Sequence, residues 1–195
     1  MDNEERQQSS GRGGRPAVFL DLNGTLVLPV RAASPDEFVL IPGCAGALAL
    51  LGAAGFLCPV ITVQSRIAKG VYTEEAFRRW FARFQGMLRR EAGVDIVVGP
   101  YLCPHRAADA CACAKPRPLL YQVASEEHGI DCSRSFVVGD TPGDVRAAAA
   151  IGAAGGCFVR TGWGPKPGAD EEREAVFVGN DLLAVARWIV ERQIR

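Results

Sequence analysis

The chain has 195 residues, 48% of them apolar and 23% charged, which suits one globular domain with a self-supporting core and excludes collagen-like or wholly disordered architectures. Its 22 basic residues balance 22 acidic ones. Without net charge there is no global pull toward nucleic acid or an anionic lipid surface, and no apolar run is long enough to cross a bilayer. Lysine stands only at 69, 115 and 166, and histidine only at 105 and 128, so these scarce positions merit individual inspection.

In chain order, residues 1–15 read as a flexible polar tail ahead of a domain over 16–195, with no secretory hydrophobic segment. A cytoplasmic location follows as the expectation, and there the seven cysteines stay reduced. Ala17–Leu20 is a short buried strand that stops at Asp21 and a polar turn, Asn23-Gly24-Thr25. Residues 43–55 form a small-residue helix closed by Gly55. The next strand covers 57–62, where Pro59 points to an edge strand or a strand start. Thr73 caps a helix in which Phe77, Trp80, Phe81, Phe84 and Leu88 recur at three- and four-residue steps. A strand over 96–98 precedes a long loop, PYLCPHRAADACACAKPRP. Helix 118–128, strand 135–139, helix 142–152, strand 157–159, strand 176–178 and helix 181–193 follow. This alternation predicts an α/β fold, a three-layer doubly wound parallel sheet with ligands at the carboxyl ends of its strands.

Asp21, Thr62 and Asp140 fall at strand ends, and Lys115 lies in a loop between them. Side by side, these strands bring two carboxylates, a hydroxyl and an ammonium to one crevice. Close carboxylates repel unless a cation separates them, so a hard divalent ion, Mg²⁺, is expected. Metal, lysine and hydroxyl together suit a phosphoryl group, with Asp21 free to attack phosphorus. Taken singly, such aspartates serve equally well as turn or helix caps. In the loop, Cys103, His105, Cys111 and Cys113 form C-x-H-x5-C-x-C, a spacing that fits a closed structural Zn²⁺ site holding the segment that delivers Lys115. Cys44, Cys58, Cys132 and Cys157 lie in apolar settings and read as small core residues.

Four segments, FLDLNGTL, PVITVQSRIAKG, CPHRAADACACAKPRP and VVGDTPGDVRAA, resemble in order the four motifs of the haloacid dehalogenase (HAD) superfamily. The likeness is closer to its subgroup of heptose-1,7-bisphosphate 7-phosphatases and histidinol-phosphate phosphatases, and it covers nearly all of residues 16–190. The resemblance implies a HAD-like Rossmannoid fold with a minimal cap and a zinc-binding loop. Asp21 is then the nucleophile, Thr62 a ligand of the phosphoryl oxygens and Lys115 the group that neutralises their charge. Gln64, Ser65 and Arg66, which follow Thr62, become substrate contacts. Mg²⁺ is implied on Asp21, Asp140 and the backbone carbonyl of Asn23. Asp144 either orients metal-bound water or serves as a carboxylate in the first turn of its helix.

The sequence departs from that pattern at three positions. Asn23 stands where the family has an aspartate that protonates the leaving alcohol and then activates water, a role an amide cannot fill. Val63 replaces an asparagine, and Ala114 an arginine that grips substrate in a two-pronged fashion. Arg66 either restores a cation from the opposite loop or is simply an exposed arginine. The expected activity is hydrolysis of a small phosphorylated metabolite, a sugar phosphate, by a cytoplasmic monomer with no nucleic-acid or membrane partner. The alternative is a catalytically impaired relative that binds a phosphorylated ligand or passes the phosphoryl group to an acceptor other than water.

Overall fold

The computed structural model describes residues 14–93, 95–162 and 174–193. The expected tail up to residue 13, and Lys166, lie outside the described residues. Arg15, placed by sequence in the tail, pairs in parallel with Ile130 and exchanges backbone hydrogen bonds with Gly129 and Asp131.

The strands are β1 (Val18–Leu20), β2 (Val27–Leu28), β3 (Val39–Leu40), β4 (Cys58–Val63), β5 (Val97–Cys103), β6 (Phe136–Gly139), β7 (Gly155–Val159) and β8 (Phe177–Gly179). The helices are α1 (Cys44–Ala53), α2 (Ser65–Ala68), α3 (Glu74–Ala92), α4 (Leu119–His128), α5 (Pro142–Ala150) and α6 (Leu182–Gln193). Six strands form one parallel sheet in the order β5-β4-β1-β6-β7-β8. β1 is central. The chain leaves it toward β4 on one side and later returns to β6 on the other, so a crevice opens at the carboxyl end of β1 where the winding reverses.

Side-chain alternation sorts the sheet into two faces. Val18 and Leu20 enter the larger core, with Leu48 and Leu51 of α1, Phe77, Phe81 and Leu88 of α3, and Val185 and Ile189 of α6. Ala17 and Phe19 point the other way, toward Tyr121 and Ala124 of α4 and Ala147 and Ala148 of α5. The result is the expected three-layer sandwich. The helix α3 shows how the sequence specifies its part. Thr73 Oγ1 accepts from the Ala76 N–H at 3.1 Å, and Gly93, at φ 66°, ends it in the left-handed region. Its aromatic stripe is buried, while Glu74 and Arg78 pair at 2.7 Å on the solvent side.

Two features differ from the sequence expectation, and one alternative that it left open is settled. Pro59 is the second residue of an interior strand, so it marks a strand start and not an edge. β5 runs to Cys103 instead of ending at 98. Its register slips between Pro59↔Val98 and Ile61↔Tyr101, with Gly99 at φ 110°. A bulge on this edge strand lets the chain pass Gly99-Pro100 without leaving the sheet, which local propensity alone reads as a break. The segment between β1 and α1 also carries a small antiparallel pair, β2 with β3, joined through a 3-10 turn at Pro35–Glu37. Two-residue strands have too short a pattern to register in sequence.

Among the described residues no helix is long and apolar enough to cross a membrane. Phe77 is fully buried against Tyr72, Trp80 and Phe81. Phe77→Ala is expected to lower the unfolding free energy by about 3–5 kcal/mol, read from urea titration.

Candidate active site

Asp21 follows β1 directly, and its backbone N–H donates to Val138 of β6 at 2.9 Å. Asp140 follows β6 and Asp144 lies in the first turn of α5, so neighbouring parallel strands present all three carboxylates at one end of the sheet. Their oxygens lie within 4.8 Å of one another. Lys115 enters from the loop after β5; its ammonium donates to Asp21 Oδ1 at 2.5 Å and Asp144 Oδ1 at 2.6 Å. Asp144 Oδ2 accepts from the backbone N–H (3.2 Å) and hydroxyl (2.6 Å) of Thr141. Asp144 is thus the first-turn carboxylate that caps its helix, and it also anchors Lys115. Close approach is enforced by glycine. A Cβ on Gly139 would lie 2.1 Å from Asp144 Cγ, and one on Gly24 (φ 89°) would lie 2.5 Å from Asp140 Oδ2.

The electrostatics follow from crowding. Burial pushes the Asp21 carboxyl up from 3.8 to about 7; Lys115 opposes the rise, and Asp144 and Asp140 add to it. Burial also works against the Lys115 ammonium, but Asp144 and Asp21 outweigh it and hold the lysine protonated well above its ordinary range. Three carboxylates against one ammonium leave a deficit of positive charge, and hard oxygen donors at this spacing fit a divalent ion such as Mg²⁺. Asp21 and Asp140 are the residues placed to hold it, since both oxygens of Asp144 already accept from protein donors.

The motif-two residues line or underlie the opposite wall. Thr62 is fully buried, and its hydroxyl accepts from Gln64 Nε2 at 2.9 Å. The same Gln64 amide donates to Asn23 Oδ1 at 2.5 Å, and Tyr72 donates its hydroxyl to Gln64 Oε1 at 2.7 Å. Asn23 Nδ2 is buried and without a partner. The crevice, about 520 Å³, is lined by Asp21, Asn23, Lys115, Asp140 and Asp144 below and by Val63, Ser65 and Arg66 on the wall. Arg31, Lys69 and Thr141 line it as well. Sequence reasoning assigned no role to these three, although the scarcity of lysine had marked position 69. His128 lies elsewhere, its Nε2 2.9 Å from the Tyr101 hydroxyl.

The sulfur and nitrogen atoms of Cys103, His105, Cys111 and Cys113 also lie within 4.8 Å of one another. Cys103 Sγ is 3.7 Å from His105 Nδ1 and 3.5 Å from Cys111 Sγ; His105 Nδ1 is 3.2 Å from Cys113 Sγ, and the two later sulfurs are 3.6 Å apart. With metal–sulfur and metal–nitrogen bonds of about 2.3 and 2.0 Å, a tetrahedral zinc needs donor separations of about 3.5–3.8 Å. Three of the four separations fall in that range and the His105–Cys113 distance is shorter, at 3.2 Å. Burial raises the Cys103 thiol to about 12, whereas at Cys111 a smaller burial effect is overcome by hydrogen bonds from Cys103 and Cys113, which bring it down to about 7. All seven cysteines are free thiols; Cys44, Cys58 and Cys157 are buried and Cys132 partly so.

Residues 112–185 match the family model described as HAD-hydrolase-like. Over 180 residues the chain is 34% identical to the D-glycero-beta-D-manno-heptose-1,7-bisphosphate 7-phosphatase of Pseudomonas aeruginosa, covering 91% of this chain and 99% of that protein. The enzyme of the same name from Escherichia coli is 33% identical over 186 residues, covering 91% and 96%. Among solved structures, the D,D-heptose 1,7-bisphosphate phosphatase of B. bronchiseptica, complexed with magnesium and phosphate, superposes with a TM-score of 0.75 at 28% identity, covering 91% of this chain and 99% of that one.

The raised Asp21 carboxyl has a consequence for stability. Between pH 3.8 and about 7 the folded state keeps a proton that the unfolded state has lost, so its contribution to stability falls as pH rises through that window and levels off above it. In Mg²⁺-free buffer, Asp21→Asn is expected to raise the melting temperature more at pH 8 than at pH 5, read by calorimetry.

Proposed function

This chain belongs to the HAD superfamily, in the branch of the heptose-bisphosphate phosphatases, and from that premise and the crevice geometry we propose that it is a Mg²⁺-dependent phosphoric monoester hydrolase acting on a sugar phosphate. The observation that carries the proposal is the convergence of Asp21, Asp140 and Lys115 at the switch point of the sheet. Asp21 attacks phosphorus; a bond forms between its carboxylate oxygen and phosphorus as the ester P–O bond breaks, giving an acyl phosphate that water then cleaves to free phosphate. Lys115, held protonated, balances charge on the attacking carboxylate and the phosphoryl oxygens. Asp21, Asp140 and the Asn23 backbone carbonyl would hold Mg²⁺, which would supply further positive charge to those oxygens. On the motif-two side Ser65 lines the crevice and would contact the phosphoryl group, with Thr62 buried behind Gln64.

Asn23 shapes the chemistry in a particular way. Its Oδ1 is held by Gln64, which leaves the buried, unpartnered Nδ2 to donate a hydrogen bond to a phosphoryl or ester oxygen. It cannot transfer a proton to the departing alcohol. Turnover on alkyl phosphates is therefore slow, and leaving groups that depart readily as anions are favoured. The zinc cluster is structural: it ties the end of β5 to the segment carrying Lys115, and free thiols of this kind suit a reducing cytoplasm. A monomeric state completes the proposal.

A series of aryl and alkyl phosphates tests it, each assayed with and without Mg²⁺. The parent is expected to release phosphate only with Mg²⁺, at rates that fall steeply as the leaving-group pKa rises, and Asp21→Asn is expected to abolish release. Asn23→Asp is expected to flatten that slope and to speed alkyl substrates by about 10²–10⁴-fold. Parental rates in Asp21→Asn would rule the mechanism out. Elemental analysis is expected to find one zinc per chain, lost in Cys113→Ser together with several degrees of melting temperature.

A further inference from the structure

The connection from β1 to α1 carries an apolar surface that the core does not use. In the ribbon formed by β2 and β3, Val27 lies opposite Leu40 and Leu28 opposite Val39. Paired side chains share a face, and successive pairs alternate between faces. Val27 is fully buried and Leu40 packs against the larger core. The next pair turns the other way, and Val39 stands 68% exposed, the most exposed large apolar residue among those described. The solvent side of an antiparallel ribbon is normally polar. Here it is not.

Leu28, Pro29, Val30 and Val39, together with Arg31, line a groove of about 370 Å³. Val30 and Arg31 also line the acidic crevice, so groove and crevice are continuous. Val63, on the motif-two wall, gives the crevice a second apolar residue open to solvent. Single apolar residues scattered over a surface need no explanation, but a contiguous set that runs into a reactive crevice marks a binding surface. The shared residues also select the occupant. A second protein chain seated on Val39 would overhang Val30 and Arg31 and obstruct the mouth, whereas one small molecule can enter groove and crevice together.

We propose that the groove receives an apolar, ring-sized substituent of the substrate while the substrate's phosphate sits over Asp21. The proposal rests on the floor being the phosphoryl-transfer site and deepens that reading: the sugar phosphate carries an apolar group. The contact is driven by removal of apolar surface from water, roughly in proportion to the area buried, and needs no charge on the ligand. Salt screens the attraction between a phosphate and the exposed cations of the mouth over about 10 Å at 0.1 M, but it leaves this contact in place. At about 370 Å³ the groove lies at the small end of the range for ligand sites, with room for one ring.

Two ligands with the same phosphate and the same leaving alcohol isolate the effect, methyl and phenyl β-D-glucopyranoside 6-phosphate. Asp21→Asn, loaded with Mg²⁺, is titrated with each by calorimetry, so that binding is read without turnover. The phenyl glucoside is expected to bind about fivefold or more tightly than the methyl one. Its heat-capacity change is expected to be more negative, and its advantage to persist as sodium chloride is raised. Adding Val30→Ser and Val39→Ser is expected to reduce the advantage below about twofold, whereas Val123→Ser, at an exposed position on α4, leaves it in place. Val39 is exposed and Val30 only half-buried, so circular dichroism of the double variant should match the parent. Equal affinity for the two glucosides, undetectable binding of the phenyl glucoside, an advantage that salt abolishes, or one that survives loss of the two valines overturns the proposal. So does a dimer, read by sedimentation, that Val39→Ser dissociates, because a second copy is then the occupant. Failure of the parent enzyme to hydrolyse any phosphate ester would instead overturn the phosphatase reading and leave this comparison intact.

Discussion

The site depends on a charge imbalance that the fold creates and only a cation can relieve. Asp21, Asp140 and Asp144 crowd one end of a parallel sheet with a single ammonium among them. Burial and like charge drive the Asp21 carboxyl up to about 7, so the metal-free protein stores unfavourable electrostatics at the place where a nucleophile is needed. A divalent ion held by Asp21 and Asp140 would remove that penalty and favour the ionised Asp21 carboxylate. Lys115 cannot substitute for the ion, because its ammonium already divides itself between Asp21 and Asp144.

The surroundings keep this arrangement in register. Gly24 and Gly139 let backbone pass where any Cβ would strike Asp140 or Asp144. The Cys/His cluster begins on β5 and ends two residues before Lys115, so a metal bound there would fix the lysine to the sheet. Arg106 and the backbone of Pro104 also hydrogen-bond Ala68, which joins the same loop to α2. One ordered segment thus positions a group on the floor of the crevice and steadies the wall that carries Arg66 and Lys69.

Asn23 is the residue on which the proposed chemistry turns. The braced amide, with Gln64 on its oxygen and Tyr72 behind Gln64, is well placed to donate a hydrogen bond and unable to shuttle a proton. Capture of a phosphoryl group and its rapid release are separate requirements, and the observed side chains meet the first more fully than the second. The relatives at 33–34% identity set the reaction class. Of the three positions where the sequence departs from the motifs it resembles, Asn23 and Val63 line the crevice.

The sequence by itself determined the alternation of strands and helices, and with it the parallel sheet and the strand ends that carry Asp21, Thr62 and Asp140. It also revealed the four-ligand loop, because thiols and imidazole at short spacing are a local signal. Strand β5 past Gly99-Pro100 was hidden because a bulge is decided by the partner strand and not by the residues that make it. The two-residue strands β2 and β3 were too short for any period. Tertiary structure alone decided the pairing of Lys115 with Asp144, the brace from Tyr72 through Gln64 to Asn23, and the placement of Arg31, Arg66 and Lys69 around one crevice. Each joins segments whose meeting depends on how the layers pack, and no local pattern of apolar and polar residues records which distant charge a side chain will face.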